Sequence, residues 1–405
     1  MATVSEPPRA SFHPGQLIYD TRYRSMTIQV AALIGFLLAL SWLVSNTVAN
    51  LEALGKDFNF RFLFVRSGYD INQRPIAYTS DSTHLRAAIV GLLNTLLVAF
   101  FGCVLATIIG IFAGVLRLSK NWLIARLMTV YVEGFRNVPV VLWIITIFAI
   151  LTISTPAPNQ FRGETPTASM LLGDTTAITN RGVYVPRPIF ESGSAVVVVV
   201  FLLSLVGIWA FGRYAHRRQD LTGEQLPTFS IKLAIFALPT LLAFFALGRP
   251  VSLEFPELRG FNFQGGFKLE NSFTALWIGL SLYTGAFIAE NVRAGVMAIS
   301  RGQTEAAYAL GIRPRRTMGL VIMPQALRVI IPPLISQYLN LTKNTSLGIA
   351  VSYMDLRSTL GGITLNQTGR ELECILLMMS IYLIISLIVS AIMNAYNRSI
   401  RLKER

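Results

Sequence analysis

The chain has 405 residues, of which 53% are hydrophobic and only 14% charged, with a formal net charge of +14. Soluble domains carry about 25% charged residues, and the mean hydropathy here is +0.54, so an ordinary water-soluble protein is excluded. The length is better read as a count of membrane spans than of soluble domains. The basic excess fits a positive face toward anionic lipid or a cytosolic partner rather than nucleic acid.

The first 25 residues are polar and include Glu6 and Asp20. The apolar run that follows, 27–49, is longer than a secretory signal's apolar stretch of about 7–15 residues. It reads as an uncleaved first span. A spanning helix needs roughly 20 mostly apolar residues. Uncharged runs of suitable length lie between Arg24 and Glu52, Arg86 and Arg117, Arg136 and Arg162, Glu191 and Arg213, Glu270 and Glu290, and Glu373 and Arg398. Two weaker runs are 229–248, which contains Pro239, and 326–341, where Pro332 and Pro333 predict a broken or kinked helix. The expectation is therefore an all-α polytopic membrane protein with about eight spans.

Eight spans put both termini on one side. Lys and Arg then number 21 on that side and 14 on the other, while acidic residues number eight and 13. This is the positive-inside pattern, and it places both termini in the cytosol. Residues 155–193 hold five prolines and several glycines and read as a long outer loop with no catalytic motif. Cys103 and Cys374 sit in apolar runs, which argues against a disulfide. His13, His84 and His216 are scattered, so no zinc-type cluster is formed. Gly110 and Gly114 make a GxxxG pair, a mark of close helix packing that also occurs incidentally. Glu290 and Arg293 are spaced to pair on one helix and to anchor its cytosolic end.

Residues 296–325 carry the most information. Ser300 with Gln303 fits a capping box. Gln303 to Leu310 are helix formers. Gly311 stands where a left-handed residue ends a helix, and Pro314 suits the first turn of the next. A short helix, a sharp turn and a second helix re-entering the membrane near Pro324 are expected. Ala306 and Ala307 leave a low face that another surface can approach. Glu305 is the only carboxylate among Arg301, Arg313, Arg315 and Arg316.

The pattern Glu-Ala-Ala, three residues, Gly, nine residues, aliphatic-x-aliphatic-Pro resembles the EAA loop of ABC importer permeases. It falls on Glu305, Ala306, Ala307, Gly311, Val321, Met323 and Pro324, with Val321 and Met323 departing conservatively from the commoner Ile and Leu. The stretches GLLNTLLVAFFG (91–102), YVEGFRNVPVVLW (131–143), GAFIAENVRAGVMAISRGQ (285–303) and MPQALRVIIPPLISQYLNLTKNTSL (323–347) resemble the polar amino-acid branch of that family. The layout resembles the larger permease subunit of general L-amino-acid importers.

The resemblance implies a type I importer transmembrane domain over 88–396. Its core would be 88–154 and 272–396, with an inserted pair of spans in 155–271. Residues 1–87 would supply a tail, a first span and an outer loop, and 397–405 a basic cytosolic tail. It implies a bacterial inner-membrane permease with no catalytic residues, cofactor or metal of its own. ATP and magnesium would be held by two partner ATPase subunits. A second, smaller permease and a periplasmic amino-acid-binding protein would complete the complex, and no nucleic acid is involved. Glu305, Ala306, Ala307, Gly311 and Pro324 would form the ATPase-coupling loop, although Glu305 also fits a simple favourable charge near its helix N-terminus. The polar run holding Asn340, Thr342, Asn344 and Thr345 fits a pathway or outer gate, or equally a helix-end cap. The alternative class is an ion-coupled secondary transporter. Against it, the confident spans are nearly free of central charge, and no short broken segments recur in two halves.

Overall fold

The computed structural model describes residues 19, 21–53, 55, 57–162, 165–224 and 226–400. The polar N-terminal residues 1–18 and the last five residues of the basic C-terminal tail lie outside the described residues. Residues up to Leu63 and residues from Phe64 onward form two compact units. The first holds one long helix, α1 (Thr21–Ala53), whose side chains are exposed almost throughout.

The second unit begins its helices with α2 (His84–Arg117), α3 (Trp122–Asn137) and α4 (Val140–Ala149). A π-helical turn (Ile150–Ser154) extends α4. Thr83 caps α2 by accepting from the Arg86 N–H, and Asn121 caps α3 by accepting from Leu123 and Ile124. These are the small polar N-cap side chains that satisfy orphan amides. The third expected span is shorter than its uncharged run, because Pro139 at the head of α4 cannot continue α3. The chain instead bends by 106° between α3 and α4. Segment 117–136, which lies between two of the expected spans, contains most of a helix of its own.

Past α4 the chain forms β1 (Ala177–Thr179), β2 (Gly182–Val185) and β3 (Arg187–Phe190). A helical hairpin follows, α5 (Ser194–Thr222) and α6 (Thr228–Ala246). Four more short strands return, β4 (Val251–Glu254), β5 (Glu257–Arg259), β6 (Asn262–Gln264) and β7 (Phe267–Leu269). They pair antiparallel as β1–β2–β7, β3–β4 and β5–β6. The helical reading missed this β cap. Its strands are only three or four residues long, too short to show a periodicity of two, and only pairing across the inserted hairpin makes them strands. β3–β4 joins the two ends of the hairpin, with Arg187 opposite Glu254 in register. β2–β7 carries the chain back to the core.

The core is built around α7 (Asn271–Met297), about two-thirds buried, which packs on α2, α3 and α4. Next come α8 (Arg301–Ala309), α9 (Pro314–Thr317), a π-helical turn (Met318–Ile322) and α10 (Met323–Asn344). α10 also packs on α7, and Val98, Ala106, Leu276, Leu280, Ile288, Ile330 and Leu341 meet in one apolar cluster. The expected break at Pro332 and Pro333 does not occur, for both lie inside the continuous α10. In an apolar surrounding the alternative, irregular backbone, would leave more amides and carbonyls unpaired than two prolines do. A 3₁₀ turn (Thr345–Val351), short α11 (Leu356–Ser358) and α12 (Leu365–Thr368), with a π-helical turn (Thr359–Thr364) between them, lead to α13 (Glu371–Ile400).

Seven described helical stretches are long and apolar enough to cross a bilayer, and the bent α3–α4 pair makes eight if taken as one span. Glycines set how close α2 and α7 come. A Cβ on Gly110 would stand 2.5 Å from Ile288 Cβ, and one on Gly114 would stand 2.7 Å from the Ala289 carbonyl oxygen. The GxxxG pair is thus a real close approach.

Candidate functional site

Two ends of the bundle differ. At one end stand the β cap and the start of α2, where His84 Nδ1 lies 3.0 Å from Thr364 Oγ1. At the other, the ends of α2 and α7 meet in a charged cluster. Glu290 takes ion pairs from both Arg293 and Arg117, and Arg117 also reaches Glu133 at 3.4 Å on α3. The expected pair is therefore the centre of a four-residue network tying three helices together. The helix–turn–helix of α8 and α9 lies just beyond this end.

Its local structure follows from named residues. Ser300 Oγ accepts from the Gly302 N–H at 3.3 Å and caps α8. The reciprocal half of the expected capping box is absent. The Gln303 side chain instead accepts at 3.3 Å from Gln325 Nε2, which also donates to the Val321 carbonyl at 3.0 Å. Tertiary contact with the head of α10 has won over the local cap. At the far end Gly311 has φ +71°. The Gly311 N–H donates to the Tyr308 carbonyl at 2.9 Å and the Ile312 N–H to the Ala307 carbonyl at 3.0 Å. That pair of bonds is a Schellman motif, and it satisfies carbonyls the helix end would leave open. Pro314 opens α9, and Thr317 donates to the Ile312 and Arg313 carbonyls.

Glu305 and Ala306 are exposed, but Ala307 is buried under its own motif, so only one alanine of the pair offers a surface. Pro324 sits in the first turn of α10, and Gly311 is open on all sides. Two residues of this surface escaped the sequence reading: Leu310, 79% exposed, and Tyr308, 49% exposed. The available signal was two large apolar side chains beside a helix-ending glycine in a segment otherwise rich in arginine.

The polar run at the end of α10 is not one surface. Thr342 and Thr345 are buried, and their hydroxyls donate to the Tyr338 and Thr342 carbonyls at 2.8 Å each. Asn340 is exposed and Asn344 half-buried.

The apolar bundle carries an exposed helix–turn–helix beyond its charged end, and the relatives say what kind of protein it is. Residues 222–402 match the family described as "Binding-protein-dependent transport system inner membrane component". The chain is 56% identical over 428 aligned positions to the glutamate/glutamine/aspartate/asparagine transport system permease protein BztB of Rhodobacter capsulatus, with all of both chains covered. It is 41% identical to the general L-amino acid transport system permease protein AapQ of Rhizobium johnstonii, covering 96% of this chain and 95% of that one. The chain belongs to the amino-acid ABC transporter permeases, multi-pass proteins of the inner membrane. That membership sets aside the ion-coupled secondary transporter.

Proposed function

We propose that the chain moves L-amino acids into the cell as the membrane subunit of an ATP-driven importer, and that α8 is where partner ATPases grip it. The single observation behind the coupling role is an exposed helix, capped at both ends, that offers Glu305, Tyr308 and Leu310 to a partner. The names of the two relatives support amino acids as cargo. Two ATPase subunits holding ATP and magnesium supply the energy, and this chain carries out no bond chemistry. A second, smaller permease completes the pathway. A periplasmic amino-acid-binding protein docks at the cap end. Both termini and α8 face the cytosol, in keeping with the charge asymmetry of the sequence.

The mechanics run through side chains. The Gln303–Gln325 bond fastens α8 to the head of α10, and α10 packs on α7. A pull on α8 therefore moves a core helix as a rigid body, which suits alternating access. An exposed ion pair contributes only about 0–1 kcal/mol. Apolar burial of Tyr308 and Leu310 supplies more of the grip, about 1.5–3 kcal/mol for a side chain that becomes fully buried. Asn340 and Asn344 remain as candidates for an outer gate.

The test is affinity capture of tagged protein from its native membrane, wild type beside Glu305→Arg, with mass spectrometry and ATP hydrolysis measured on the eluate. Wild type brings down an ATP-binding subunit and a second permease, and the variant loses the ATPase while staying in the membrane. An unchanged complex with unchanged uptake in the variant would remove α8 from the coupling role.

A further inference from the structure

The cap end of the bundle holds a cleft of about 710 Å³ that no part of the coupling reading uses. Five parts of the chain line it: the 72–75 loop, α2, the first turns of α7, the β cap, and Tyr353 just past the 3₁₀ turn. Its wall is aromatic. Phe273 stacks on Trp277 and Phe101 meets it edge-on, with ring centroids 6.1 and 6.4 Å away, and Tyr353 stands 6.0 Å from Phe273.

Three lining residues carry buried polar atoms without a hydrogen-bond partner: Gln73 Oε1, Asn94 Oδ1 and Trp277 Nε1. Asn94 has no exposed surface. Its amide orientation is fixed by its neighbours, because Nδ2 donates to the Gln73 carbonyl at 3.0 Å and the Met354 carbonyl at 2.9 Å. The unsatisfied atom is therefore an acceptor oxygen. At the rim Lys268 Nζ lies 2.8 Å from Glu270 Oε1, both partly exposed. Arg74 and Arg187 also line the cleft, paired with Asp70 at 3.6 Å and Glu254 at 2.6 Å.

Orphaned acceptors and a carboxylate call for a donor cation. An orphaned indole donor with Lys268 at the rim calls for an anion. One small molecule carries both charges on adjacent atoms. We propose that this cleft binds a free α-amino acid as its zwitterion. The ammonium goes to Asn94 Oδ1, Gln73 Oε1 and Glu270, and the carboxylate to Trp277 Nε1 and Lys268. The inserted segment, through Lys268 and Glu270, supplies part of the wall, so the insertion takes part in admitting substrate. This assignment rests on the importer reading.

The test uses the permease purified with its partners in lipid nanodiscs, without any binding protein, and radiolabelled L-glutamate and L-glutamine as probes. Trp277→Phe removes one donor and keeps the ring, and Lys268→Gln removes one charge at the rim. Each weakens L-glutamate binding about tenfold, the scale of one charge-assisted hydrogen bond. Thermal melting and recovery of the partner subunits report whether each variant is folded. Absence of binding to wild type, or wild-type affinity in both variants, overturns the cleft assignment while import by whole cells continues. If both variants instead weaken only the docking of a binding protein, the cleft is a protein contact and the assignment also falls. If wild-type cells import no L-amino acid at all, it is the importer reading that fails.

Discussion

At the scale of single residues, Gly311 shows what a left-handed position demands. A Cβ there would touch nothing within 4 Å, so a substitution meets no steric neighbour and acts through backbone strain alone. Gly311→Val forces a β-branched residue to positive φ, at a cost of about 1–3 kcal/mol. Uptake and ATPase recovery should both fall, while Gly311→Asn, which tolerates that region, should retain most of each. Normal transport by the valine variant would show that the turn is not needed in its observed form. Leu310→Asp is the complementary test. It leaves the turn intact and should reduce ATPase capture without reducing the amount of protein in the membrane.

At the scale of elements, the packing of α2 on α7 rests on small residues. A methyl added at Gly110 must displace Ile288 or the Gly285 carbonyl oxygen, which stands 3.0 Å from the added carbon. Gly110→Ala should destabilise the detergent-purified protein by about 1–3 kcal/mol, as overpacking does. Gly134 on α3 is the control. It is exposed and its Cβ would meet nothing within 4 Å, so Gly134→Ala should raise stability by about 0.5–1 kcal/mol through helix propensity. Equal melting temperatures for the two alanine variants would show that close approach is not what the GxxxG pair supplies. The same element scale explains α8 and α10. A capping box is a local pattern, and Gln303 abandoned it because Gln325, 22 residues later, was brought within reach.

At the scale of the whole molecule, the two ends of the bundle carry different chemistry, and sidedness can be read directly. Leu172 in the cap region is 82% exposed and Leu310 is 79% exposed. Each can be replaced by cysteine in a chain whose two native thiols are half-buried or buried. A membrane-impermeant maleimide added to intact spheroplasts should label position 172 at once and position 310 only after permeabilisation. The reverse pattern would invert the topology and move α8 to the wrong side for an ATPase.

Apolar runs, charge asymmetry and the Glu-Ala-Ala…Gly…Pro spacing were enough to establish a polytopic helical permease and to locate the helix–turn–helix around Gly311. These are properties of contiguous chain: a span is a length of apolar residues, and a Schellman cap is made within six residues. Contacts between distant segments needed the fold. The bend at Pro139, the unbroken helix through Pro332 and Pro333, the short strands of the cap and the burial of Ala307, Thr342 and Thr345 each depend on what packs alongside. So does the cleft at the cap end, because Gln73, Asn94, Lys268 and Trp277 come from four separate stretches. The unpaired polar atoms of Gln73, Asn94 and Trp277 become visible only when packing removes the water that would otherwise satisfy them.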